Sequence, residues 1–76
     1  MMARINSFAE KDVQRTSVHE EVEATFHIFE QDGEIYLQLD TYGAAGRQIV
    51  GKVSQPIQLG KQGRNALRML LSRFDE

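Results

Sequence analysis

The sequence predicts a small α+β fold: an antiparallel sheet of three to four strands, centred on an Asp-Gly hairpin and packed against one C-terminal helix. Three observations lead there. Two runs of alternating apolar and polar residues, spanning 22–39, meet at Asp32-Gly33, and Asp-Gly between alternating runs is the strongest short-range hairpin signal because the turn needs positive φ at both central positions. A second alternating stretch at 48–59 follows a glycine-containing loop. From Gly63 onward, apolar residues recur at intervals of three and four, the period of a helix with one buried stripe.

Taken in order, residues 1–17 hold a short edge strand and a connection. Ala3, Ile5 and Ser7 alternate with Arg4, Asn6 and Phe8, while residues 9–16 are mostly polar, a mobile segment or at most a turn of helix. The sheet is expected over residues 18–60. In the hairpin a two-residue loop sets the register so that opposed residue numbers sum to 65. One face then carries Val22, Ala24, Phe26 and Ile28 with Ile35, Leu37 and Leu39. The other carries Glu23, Thr25, His27 and Phe29 with Tyr36, Gln38, Asp40 and Tyr42. Gly43-Ala44-Ala45-Gly46 reads as a flexible loop, with Arg47 directly after it. Gly51 suggests a bulge or a close backbone approach, and Pro56 confines its stretch to an edge or a bend, since proline cannot donate to a ladder.

The helix is expected over 61–74, with Gly63, Ala66, Leu67, Leu70, Leu71 and Phe74 on the sheet side and Lys61, Arg64, Asn65, Arg68 and Ser72 opposite. One core should join Phe26, Ile28, Leu37, Leu39, Ile57, Leu59, Leu67, Leu70 and Phe74. The helix ends are charged against the macrodipole: Lys61 and Arg64 open it, and Asp75 and Glu76 follow it. Either core packing outweighs this cost of about 0.3–1 kcal/mol per charge, or the two cations and the free amides together invite a phosphate.

A chain of 76 residues makes one domain that buries only about 60% of its unfolded surface. It has no cysteine, hence no disulfide and no zinc cluster as a staple, which leaves self-association, and a homodimer is expected. No apolar run reaches membrane-spanning length and the first 15 residues lack the apolar region of a signal peptide, so a cytoplasmic location is expected. The net charge of −2 conceals an asymmetry. Residues 1–40 carry three basic against nine acidic side chains, 3 − 9 = −6, and residues 41–76 carry six against two, 6 − 2 = +4.

Catalysis finds no pattern to rest on. His19 and His27 are eight apart without an HExxH or related metal-ligand spacing, the four serines lie in no nucleophile elbow, and the Gly43–Gly46 stretch lacks the ending of a phosphate loop. No enzyme activity, metal or cofactor is expected. His27 should pair with Gln38 or Glu23. Binding has more support, since Phe29 opposes Tyr36 on the polar face with Tyr42 further along. Rings among polar groups can stack unpaired bases. The same rings also fit a stabilising cross-strand pair, or a face buried in a dimer.

The order of short strand, long hairpin, glycine-containing loop, last strand and single helix resembles the single-stranded-DNA-binding domain of transcriptional positive cofactor four and its bacterial and phage relatives. The similar stretch runs from about Ala24 to Leu71. Its landmarks are the hairpin from Phe29 to Asp40, then Gly51-Lys52, Ile57-Gln58-Leu59, and Ala66, Leu67 and Leu70. The resemblance implies a homodimer whose curved sheets hold an extended single strand of DNA (or RNA) through basic and aromatic side chains, with a place in transcription regulation. By position Lys52 matches the basic residue leading into the last strand, and Arg47 lies in the loop before it. Site residues expected on these grounds are Arg47, Lys52, Lys61 and Arg64 for phosphates, with Phe29, Tyr36 and Tyr42 for bases. Two departures stand out. Glu20, Glu21 and Glu23 occupy the start of the first long strand, where the family is usually basic, and the chain as a whole is acidic. They leave open an alternative: a small protein-interaction or regulatory subunit of a larger system, for instance of a phage or mobile element.

Overall fold

Asp32 and Gly33 both adopt positive φ, 54° and 82°, in the computed structural model, which describes residues 2–42 and 53–74 (side chains of 53 and 54 excepted). This is the geometry that a two-residue turn requires to match the twist of its flanking strands. The arms it joins are β2 (Ala24–Gln31) and β3 (Glu34–Tyr42). They pair in the expected register throughout, from Gln31 opposite Glu34 to Ala24 opposite Thr41. β4 (Val53–Leu59) lies antiparallel on the other side of β3, and β1 (Ala3–Arg4) closes the sheet in the order β1-β4-β3-β2. β1 runs parallel to β4, with Ala3 beside Ile57 and Arg4 beside Gln58. Thr41 opposes Gln55 while Tyr42 opposes Val53, so β4 carries one extra residue there. Pro56 lies next to this bulge, outside the part of β4 that β1 covers, where a missing donor does least harm.

The helix α1 (Lys61–Leu71) follows β4 after Gly60 alone. Gly63 is buried in it, and a Cβ at this position would fall inside contact distance of the Ile5 carbonyl oxygen and beside the Leu59 side chain. The absence of a side chain lets the helix seat against the end of β1. Leu59 is the fully buried hydrophobic residue at this junction, 2% exposed.

Three expectations are corrected. The sheet does not begin at 18: Val18 is 98% exposed and Val22 exposed, and β2 starts at Ala24, whose partner Thr41 is the last β3 residue to pair with it. An alternating pattern becomes a strand only where a neighbour supplies the ladder. The helix stops at Leu71 instead of 74. There the Ser72 hydroxyl donates to the Met69 carbonyl at 2.6 Å, and the Arg73 and Phe74 amides tighten onto the carbonyls of Leu70 and Leu71. The core is also smaller than the apolar pattern implies. Phe26 and Ile28 are 66% and 64% exposed, and Phe74 is exposed beyond the helix end. Leu37, Leu39, Ile57, Leu67 and Leu70 are half-buried. The helix packs on β3 and β4 and leaves the β2 edge of the apolar face open. Among the described residues no helix is long and apolar enough to cross a membrane. The expected loop at 43–46, with Ile49 and Gly51, lies outside the described residues.

Candidate nucleic-acid interface

The pleat puts the side chains of paired residues on the same side of the sheet, and the register therefore defines rows across the polar face. The first row is Phe29 beside Tyr36. Their rings stack with centroids 5.4 Å apart and planes 24° from parallel. His27 leans on Phe29 from the next row, 5.6 Å between centroids. That second row crosses all four strands: His27, Gln38, Gln58 and Arg4. A third row holds Thr25, Asp40 and Pro56, and beyond it Tyr42 shares a 2.9 Å hydrogen bond between its hydroxyl and the Thr25 hydroxyl. Tyr36 and Tyr42 are six residues apart on one strand, about 20 Å at the usual rise.

The centre of the face is a directed hydrogen-bond chain. The Gln58 side-chain amide donates to Gln38 Oε1 at 3.0 Å, and the Gln38 amide donates to Asp40 Oδ1 at 3.0 Å. An ionised carboxylate only accepts, so Asp40, 9% exposed, sets the direction of both amides. His27 stands across from Gln38 as expected, but the Gln38 amide is turned to Asp40 and the imidazole to Phe29.

At the rim beside Tyr36, Glu34 occupies the start of α1. Gly60 supplies no side-chain cap. Instead Glu34 Oε2 accepts from the Lys61 backbone amide at 3.1 Å, while the Tyr36 hydroxyl donates to Glu34 Oε1 at 3.4 Å. The anion that the dipole favours at a helix start thus comes from the hairpin. The half-buried Arg64 donates from its guanidinium to the Ile35 carbonyl oxygen. Lys61 is exposed at the same end.

Of the expected site residues, Phe29, Tyr36 and Tyr42 share one face, Lys61 stands at its rim, and Arg64 is drawn to the hairpin backbone. Arg47 and Lys52 lie outside the described residues. Gln38 and Asp40 lie on the face to which the alternation assigns them, and Arg4 and Gln58 join it without having been singled out. Alternation in the first residues signals a strand that contains Arg4, but its parallel pairing with β4 has no local signature. Among the described residues no three His, Cys, Asp or Glu side chains are grouped to hold a metal ion. Comparison with protein-family models, with curated proteins and with solved structures found no match.

Proposed function

We propose that the protein binds single-stranded nucleic acid, DNA or RNA, without catalysis and as a homodimer. The observation that carries this reading is the stacked Phe29–Tyr36 pair on the polar face, next to a row that ends in the exposed Arg4. Half-buried rings among hydrogen-bonding groups suit unpaired bases, which stack on aromatic faces. The centre carries Asp40 and the rim Glu34, so the backbone of a bound strand runs along Arg4 and Lys61 and its bases turn inward. Arg47 and Lys52 are proposed as further phosphate contacts on the strength of the resemblance alone.

The homodimer rests on area. The chain exposes 6971 Å², against roughly 4,700 Å² for a compact monomer of this mass. The exposed segment before β2 contributes, and so does the open apolar face with Phe26, Ile28 and Ile35 exposed. A symmetric partner would cover that face and leave the ring face free.

A second reading, a protein-interaction or regulatory subunit, is favoured by the exposed stretch before β2 with Glu20, Glu21 and Glu23. Titration against single-stranded and duplex oligonucleotides at two salt concentrations separates the two. Single-strand binding tighter than about 100 μM at physiological salt is expected, since non-specific binders already reach 10⁻⁴–10⁻⁶ M. Arg4→Gln should flatten the salt dependence by about 0.7, and Tyr36→Ala should cost about 1–3 kcal/mol with little change in slope. Weaker binding overturns the reading in favour of the second.

A further inference from the structure

Resting on the single-strand reading, we infer that the Gln58–Gln38–Asp40 chain makes the interface discriminate between bases, favouring those with an exocyclic amino group over thymine and uracil. The chain lies between two ring platforms, Phe29–Tyr36 on one side and Tyr42 on the other. A strand stacked on both must carry a base across it. Both amides are held in a fixed sense, since each donates one N–H down the chain towards a carboxylate that cannot reciprocate. After those two bonds the lone pairs of two amides and a carboxylate outnumber the protons left on them. The centre is also anionic, and no described cation on this face is bonded to it: Arg4 stands at the far end of the row, past Gln58.

Such a centre accepts hydrogen bonds better than it donates them. Cytosine and adenine bring an amino donor, and acidic side chains accept from cytosine N4 in the groove of duplex DNA by the same chemistry. Thymine brings the O4 carbonyl to the equivalent position, where it can take only the single N–H that each amide has left and leaves the more numerous acceptors of the centre unpaired, the arrangement that rejects an analogue most strongly. Gln38 and Gln58 are half-buried on the face and would touch the base. Asp40, nearly buried, acts as a positioning residue that orients them.

The decisive comparison is an oligomer of 5-methyldeoxycytidine against thymidine of equal length, which match in ring size and methyl group. It is read by fluorescence anisotropy with the full chain, at a pH where cytosine N3 carries no proton. The methylcytosine strand should bind about tenfold tighter, the ratio that one hydrogen bond to a charged or charge-oriented acceptor is worth. Asp40→Asn should shrink the ratio to about twofold, as the amides lose their fixed sense. Should that variant not fold by circular dichroism, the unmodified protein still decides the matter. Equal affinities, or a thymidine preference, overturn the discrimination and leave single-strand binding standing. Failure to bind either oligomer removes both.

Discussion

Glu34 shows how a single side chain can supply what its neighbours in sequence withhold. Residues Lys61 and Arg64 put positive charge at the start of a helix, and Gly60 offers no capping oxygen. The carboxylate arrives instead from the first residue of β3, where it meets the Lys61 amide and the Tyr36 hydroxyl. Losing a capping acceptor usually costs about 0.5–2 kcal/mol. Glu34→Ala should therefore lower the urea-unfolding free energy by about 1 kcal/mol, and Glu34→Gln, which keeps an acceptor, should lower it less. Equal losses in both variants would locate the effect in charge; no loss in either would mean that the helix start needs no anion.

At the scale of the element, Gly63 sets two opposing terms against each other. In a helix interior glycine is about 1 kcal/mol worse than alanine, so propensity alone predicts that Gly63→Ala stabilises. The added methyl would press on the backbone carbonyl of Ile5, whose amide is fixed by its own bond to the Gln58 carbonyl at 2.9 Å. Backbone cannot swing aside as a flexible side chain can, and overpacking typically costs about 1–3 kcal/mol. Gly63→Ala is accordingly expected to destabilise, with β1 displaced from β4. A rise in unfolding temperature for this variant would show that β1 yields freely and that α1 is not seated on it.

For the whole molecule the balance of surface decides. The radius of gyration is 14.5 Å, beyond the roughly 11 Å of a compact chain of this length, and Leu59 is the one buried hydrophobic side chain among the described residues. A core this thin stabilises little, because each buried leucine-sized side chain brings about 1.5–3 kcal/mol against an ordering cost spread over every residue. In the proposed homodimer association supplies the rest, and the thermal midpoint should rise with protein concentration. Phe26→Glu, on the open apolar face, should lower the mass seen by light scattering to that of one chain. A monomeric unsubstituted protein at micromolar concentration, with a constant midpoint, rules the dimer out.

Hairpin, turn and helix were legible in the sequence because each is a local matter. Asp32-Gly33 satisfies the turn dihedrals by itself, and the two-residue loop then counts out the whole β2–β3 register, placing Phe29 against Tyr36. The stripe from Gly63 to Leu70 likewise needs only its own spacing. How far those patterns extend was not legible. Val18 and Val22 alternate as well as Phe26 does, yet a strand ends where its partner ends. Phe74 keeps the helical spacing, yet Ser72 turns its hydroxyl back onto the chain. The candidate interface was legible in its rings and in Gln38 and Asp40, which the hairpin register puts beside them, and illegible in what β1 and β4 add. Arg4 and Gln58, 54 positions apart, meet through a parallel contact between β1 and β4, and Gln38 joins them from β3. The sequence by itself determined what each segment can form, since propensity and periodicity act over a few residues. Only the tertiary structure decided which strands stand side by side, and with that which charges cap the helix and which amides face the rings, because pairings between distant segments are selected by the packing of the whole sheet.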